Sequence, residues 1–140
     1  MEMIKSPHVI GFVELIITKN NYYCITEYAN GGSLQGLLNL YKRFPELVAR
    51  KILKQIIAGC KAMYDVQVMH RDLKLDNILI HFPDRDSFVK ITDEELKSID
   101  LIKENFVIKI ADLGFAREIE DEKKKRRYTY VGSPLLMPPE

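Results

Sequence analysis

Between Val9 and Ile17, and again between Tyr22 and Tyr28, β-branched and aromatic residues gather into two runs separated by the turn-prone Lys19-Asn20-Asn21. That pattern predicts a β-hairpin. Ala29-Asn30-Gly31-Gly32 breaks the second run, and Ser33 stands where it can cap a short helix carrying Leu34, Leu37, Leu38 and Leu40. Beyond Phe44-Pro45, the residues Ala49, Ile52, Leu53, Ile56, Ile57, Cys60, Met63 and Tyr64 recur at helical spacing. They predict a long helix with a buried stripe. Ile78-Leu79-Ile80 and Phe106-Val107-Ile108-Lys109-Ile110 are short β-rich runs flanking an insertion at about 82–105. Inside it, Thr92-Asp93-Glu94-Glu95 has the spacing of a capping box and predicts a short helix from about Asp93 to Ser98. The stretch from Glu118 to Arg127 is almost wholly charged, as solvated loops are. No internal repeat is visible.

Composition narrows the picture. A chain of 140 residues, 46% hydrophobic and 29% charged, is long enough for one compact domain with a real core. A formal net charge of +1 sets up no global field, so nothing argues for nucleic acid as a partner. No apolar run approaches the roughly 20 residues that span a bilayer, and Met1-Glu2-Met3-Ile4-Lys5 lacks the basic start and apolar core of a signal peptide. Cys24 and Cys60 sit in apolar runs without metal-like spacing, which predicts buried free thiols in a reducing compartment. The expectation is a soluble, cytoplasmic protein.

The chemistry lies in three ordered blocks: His70-Arg71-Asp72-Leu73-Lys74-Leu75-Asp76-Asn77, then Asp112-Leu113-Gly114, then Pro138-Pro139-Glu140. Together they resemble the signature set of the protein kinase superfamily. An isolated Asp72 would read as a turn carboxylate, but Asn77 follows it at the family's spacing. The resemblance implies ATP and Mg²⁺ as cofactors and protein hydroxyls as substrates. Asp72 then accepts the hydrogen bond of the substrate hydroxyl, and Asn77 and Asp112 are the metal ligands. Lys74 resembles the lysine that serine/threonine kinases place against the γ-phosphate. Ser133, in Gly132-Ser133-Pro134, resembles the small hydroxyl residue that closes the substrate groove.

On the nucleotide side, Ile25-Thr26-Glu27-Tyr28-Ala29 resembles the family's hinge. This puts Thr26 at the gatekeeper position and the backbones of Glu27 and Ala29 against the adenine edge. Ser33 belongs to the same side, with Leu79 as the apolar floor. His70, Leu113 and Phe12 fall on the family's apolar spine. Arg71 resembles the arginine that pairs with a phosphorylated activation-loop residue, and Thr129 lies at the commonest site for that phosphate. An upstream kinase acting on Thr129 is therefore an expected partner. Lys123-Lys124-Lys125-Arg126-Arg127 can also be read as an anion-binding or nuclear-import patch, but the abutting Asp121 and Glu122 favour a solvated loop.

The resemblance implies an α+β, partial protein-kinase-like fold over 1–140: N-lobe strands in 1–28, a hinge in 29–32, and part of the C-lobe in 33–140. The run from Lys109 to Arg117, with Gly132-Ser133-Pro134, is most similar to the autophagy-initiating serine/threonine branch, which tolerates extra residues between the metal ligands. A surface insertion is expected there. Departures are Leu113 for phenylalanine, Leu136 for an aromatic, and Pro138 for alanine. The seven glycines form no G-x-G-x-x-G. The phosphate-covering loop and the strand lysine would precede Met1, and the supporting helices would follow Glu140. The sequence thus predicts a serine/threonine kinase fragment, weak or inactive alone. Its rival is a non-catalytic, kinase-derived binding or scaffold module.

Overall fold

The computed structural model describes residues 4–119 and 131–137. The two β-rich runs form strands β1 (Phe12–Ile17) and β2 (Tyr22–Thr26), paired antiparallel with Leu15 opposite Cys24. Thr18 closes the turn, its hydroxyl donating to Asn21 O at 3.1 Å and its N–H to the same oxygen at 2.9 Å. The first run splits at Gly11. Val9 leaves the hairpin and bridges Ile110 in parallel, and the Ile10 N–H donates to Ile110 O at 2.8 Å. Burial explains the split, because Val9 packs with Met63 and Ile110 whereas the hairpin is largely exposed. Cys24 is exposed with the hairpin and Cys60 is only half-buried, so the expected pair of buried thiols is corrected.

Helix α1 (Leu34–Tyr41) starts at Ser33, whose Oγ accepts the Gly36 N–H at 3.2 Å. It ends at Lys42, which takes φ 64° and donates its N–H to Leu38 O. Helix α2 (Glu46–Asp65) follows Pro45 and lies against strand β5 (Val107–Ile110). Its buried line is Val48, Ile52, Gly59 and Met63. Gly59 belongs there because a Cβ would stand 2.6 Å from His8 O and 2.8 Å from Ile110 Cδ1. The broader expected stripe is corrected: Ala49, Leu53, Ile57 and Tyr64 are exposed among the described residues. Apolar positions cover a wider arc of α2 than the face turned to β5 can bury.

Strand β4 (Ile78–His81) pairs antiparallel with β5, setting Ile78 opposite Ile110 and Leu79 opposite Lys109. The segment between them is not a surface insertion. Phe82 is wholly inaccessible, and Ile91, Leu96, Ile99, Leu101 and Phe106 are buried with Leu34, Leu37, Val48 and Ile52 in the main core. Helix α3 (Asp93–Ser98) carries the expected capping box: Thr92 Oγ1 accepts the Glu95 N–H while the Glu95 carboxylate accepts the Thr92 N–H at 2.9 Å. The carboxylate is held below its ordinary range by those bonds to Thr92. The Tyr41 hydroxyl reaches across from α1 to the carbonyls of Leu96 and Ile99. A segment this rich in apolar residues is driven under the neighbouring helices by the surface it removes from water. No helix of the described residues is long and apolar enough to cross a membrane.

Candidate active site

Short strand β3 (Val68–Met69) pairs with β6 (Arg117–Glu118), drawing the His70–Asn77 loop beside the segment that starts at Asp112. His70 joins the two. Its Nε2 lies 2.8 Å from Ala111 O, and its Nδ1 accepts the Asp72 N–H at 3.2 Å, which places the ring proton on Nε2. A second link is the Ala111 N–H, which donates to Asn77 O at 2.8 Å. Arg71, at φ 68°, gives its Nε–H to Phe115 O at 2.7 Å. Its expected partner Thr129 lies outside the described residues, as do Lys123–Arg127 and Pro138-Pro139-Glu140.

Asp72 is buried and its carboxylate is fully engaged. One oxygen accepts the Ser133 hydroxyl at 2.7 Å and the Ser133 N–H at 2.9 Å. The other accepts Asn77 Nδ2 at 2.9 Å and pairs with Lys74 Nζ at 2.8 Å. Lys74 also donates to Ser133 Oγ at 3.0 Å. Hydrogen bonding from Lys74, then from Ser133, outweighs burial and holds Asp72 at about 2. Lys74 is pushed up in return, chiefly by Asp72, with smaller contributions from the charges of Asp76 and Asp112. Because the folded carboxylate is the more acidic, its ionised form stabilises the fold above about pH 4. That contribution is lost as the pH falls through about 2. Carbon-detected NMR titration of Asp72 is expected to give a midpoint near 2, moving toward the ordinary carboxylate range in Lys74→Ala.

Ser133 reaches Asp72 because of the residue before it. Gly132 has φ 115°, and a Cβ there would stand 2.5 Å from Arg71 O, so only glycine lets this segment lie against the loop.

Asn77 and Asp112 sit at the adjoining ends of β4 and β5. Asn77 Nδ2 is committed to Asp72, but no hydrogen bond among the described residues reaches Asn77 Oδ1. Asp112, at φ 59°, has an exposed carboxylate that, among the described residues, holds only a long 3.4 Å contact from the Gly114 N–H. An amide oxygen and a carboxylate are the hard donors that Mg²⁺ selects, and two protein ligands leave room for phosphate and water oxygens. The donor set fits the ion. The described residues contain no group of three or more His, Cys, Asp or Glu side chains that could hold a metal unaided.

In the segment expected to form the hinge, Glu27 gives its N–H to Gly11 O at 2.9 Å, while its side-chain Oε1 takes the Gly11 N–H at 2.6 Å. No hydrogen bond among the described residues reaches Glu27 O or starts from Ala29 N. The same Glu27 oxygen pairs with the buried Lys109 at 2.9 Å, and Lys109 also donates to Pro7 O at 3.2 Å. Burial first, and then this ammonium, hold the neighbouring His81 below its ordinary range, with its Nδ1 buried and unpartnered among the described residues. Thr26 is exposed at the end of β2. Ser33 bridges Leu79, which lies half-buried on β4. Leu113 packs beside Val9, Met63 and Ile110.

Sequence reasoning missed Lys109 and Asn30. A lone lysine inside a β run was a usable signal for the first. Asn30 in an Asn-Gly-Gly stretch is indistinguishable from an ordinary turn residue.

Comparison with known proteins gives the family of the chain. The family model described as "Protein kinase domain" matches residues 1–140. The chain belongs to the protein kinase domain family. It is 32% identical over 140 residues to the serine/threonine-protein kinase ATG1a of Arabidopsis thaliana, aligning 100% of this chain with 19% of that protein. The figures are 30% with ATG1b of the same plant, at 100% and 17% coverage, and 30% with the probable serine/threonine-protein kinase fhkD of Dictyostelium discoideum, at 100% and 16%. The likeness of Lys109–Arg117 to the autophagy-initiating branch agrees with the ATG1 matches. The chain spans less than a fifth of the length of these relatives.

Proposed function

We propose that this chain carries the hydroxyl-orienting and metal-binding half of a serine/threonine protein kinase site, transferring the γ-phosphate of ATP to protein hydroxyls. The observation that carries this reading is the clustering of Asp72, Lys74, Asn77 and Ser133 in one hydrogen-bonded group, with Asp112 at the adjoining strand end. An aspartate held at about 2 is too weak a base to remove a hydroxyl proton early. Its role is to accept a hydrogen bond and aim the oxygen, which suits a loose transition state in which positioning and charge do most of the work. When a hydroxyl enters, Ser133 gives up one of its two bonds to the carboxylate. Lys74, already between Asp72 and Ser133, supplies positive charge where the transferred group must pass.

Asn77 Oδ1 and the Asp112 carboxylate would hold Mg²⁺, which when bound neutralises charge on the bridged phosphates. The unbonded Glu27 carbonyl and Ala29 N–H would receive the adenine edge, with Leu79 as its apolar floor. Arg71 remains the proposed partner of a phosphorylated Thr129.

Mg²⁺-dependent ATP binding to the 140-residue chain tests this reading. Asp112→Asn is expected to weaken ATP binding in Mg²⁺ by about tenfold, the scale of losing one charge-assisted contact, and to change it little in EDTA. Equal affinity of the two proteins in Mg²⁺ would remove Asp112 from the metal site. An absence of binding by the wild-type chain would favour the scaffold reading.

A further inference from the structure

The side chain of Asn30 is completely inaccessible, and every one of its polar groups is used. Nδ2 donates to Phe82 O at 3.0 Å and to Asp86 O at 3.1 Å, while Oδ1 accepts the Phe82 N–H at 2.8 Å. Its own carbonyl accepts the Ile91 N–H at 2.9 Å. All four bonds run to the segment that follows β4, and none to the cleft. The adjoining glycines are bonded differently: Gly31 N–H donates to Ile80 O at 3.0 Å, and Ile80 N–H donates to Gly32 O at 2.9 Å. Gly31 is pressed so closely that a Cβ would lie 2.7 Å from Phe82 Cε2. Among the described residues, the hydrogen bonds of this segment therefore run to β4 through its glycines and to residues 82–91 through Asn30. Upstream of Ala29, the Glu27–Lys109 pair provides a second anchor.

We infer that Asn30 is a positioning residue for nucleotide binding, through which the 82–91 segment fixes the Ala29 backbone for the adenine edge. This rests on the proposed reading of Glu27 and Ala29 as the nucleotide hinge. A buried amide with all its partners satisfied admits one geometry, because any displacement leaves several polar groups desolvated and unpaired. The peptide group joining Ala29 to Asn30 has only the long 3.5 Å contact from the Gly32 N–H to Ala29 O, so the order of the backbone beside the base is imposed chiefly through Asn30 itself. Preorganisation of this kind raises affinity without adding a contact. The residues after β4 thereby become a determinant of adenine affinity although none of them needs to touch the nucleotide.

Calorimetric titration of the 140-residue chain with adenosine and, separately, with Mg²⁺-tripolyphosphate tests the inference. The variants are Asn30→Ser and Asp86→Gly. Asp86 is exposed, its side chain steadies the turn by accepting the Phe88 N–H at 2.9 Å, and its backbone carbonyl receives Asn30 Nδ2, so Asp86→Gly loosens one partner of Asn30 while leaving the Asn30 side chain and the cleft residues unchanged. Adenosine affinity is expected to fall by about fivefold or more in Asn30→Ser and by about twofold to threefold in Asp86→Gly, with tripolyphosphate affinity kept within about twofold. Unchanged adenosine affinity in both variants overturns the inference and leaves the hinge reading standing. Equal loss of both ligands, together with a lowered Tm, overturns it as well, since that is the result of a purely structural asparagine. Failure of the wild-type chain to bind adenosine overturns the hinge reading itself, and the inference with it. Should Asn30→Ser not fold, Asp86→Gly decides.

Discussion

Asp72→Asn, in a protein that joins this chain to a phosphate-covering loop and strand lysine, is expected to lower the rate of phosphate transfer to a serine peptide by about 10²–10⁴-fold, the range for a positioned proton acceptor, while Mg²⁺-ATP binding stays within about twofold. The size of the effect follows from the surroundings of the carboxylate. Its two oxygens accept from the Ser133 hydroxyl and N–H, from Asn77 Nδ2 and from Lys74 Nζ. An amide of the same shape has one oxygen and one NH₂ group, so it cannot satisfy donors on both sides. Either the Ser133 side or the Asn77–Lys74 side must face another donor. The negative charge that holds Lys74 in place is lost in the same step. Measured by radiolabel transfer, a rate within threefold of wild type would show that Asp72 does not orient the hydroxyl. A parallel collapse of ATP binding would assign it to the nucleotide rather than to the acceptor.

Phe82→Ala is expected to destabilise the chain by about 3–5 kcal/mol, read from the shift in the midpoint of urea unfolding at constant slope. Phe82 has no accessible surface, meets Phe106 edge-on at a centroid distance of 6.4 Å, and lies in the cluster that includes Leu34, Leu37, Val48 and Ile108. Truncation would remove the ring and leave a cavity that β4 and α1, pinned by hydrogen bonds, cannot close. Phe88→Ala provides the contrast. Its ring is 93% exposed, and its loss is expected to change stability by no more than about 0.5 kcal/mol. If the two substitutions had similar small effects, the segment after Phe82 would be an appendage and not part of the core.

The contrast between Phe82 and Phe88 shows where sequence reading reached its limit. Local signals carried the elements well. The capping box at Thr92-Glu95 appears at the expected residues, Ser33 caps α1, and the hairpin turns at Lys19-Asn20-Asn21. Each of these depends on residues within four positions of one another. The α2 stripe was misjudged because helical periodicity identifies an apolar arc but not which part of it meets a neighbour. Cys24 was misread for the same reason: an apolar run signals a strand, not its burial. From sequence alone the segment after β4 reads as a surface insertion, because its neighbours α1 and α2 lie far away along the chain.

The site divides along the same line. Resemblance to the kinase signature blocks, in their order along the chain, marked Asp72, Lys74, Asn77, Asp112 and Ser133 as candidates for one site. The blocks could not reveal that Ser133 donates twice to Asp72, that Gly132 must be glycine for it to do so, or that the buried Lys109 grips Glu27. Those facts belong to the tertiary structure. The sequence by itself determined the kinase ancestry, the local elements and the chemistry on offer, because these are properties of neighbouring residues. Only the folded chain decided which apolar faces are buried, that the segment after β4 is core, and that Asn30 ties it to the chain leaving β2. Such choices are made by contacts between residues 50 or more positions apart, where close packing and the cost of unpaired buried polar groups select one arrangement.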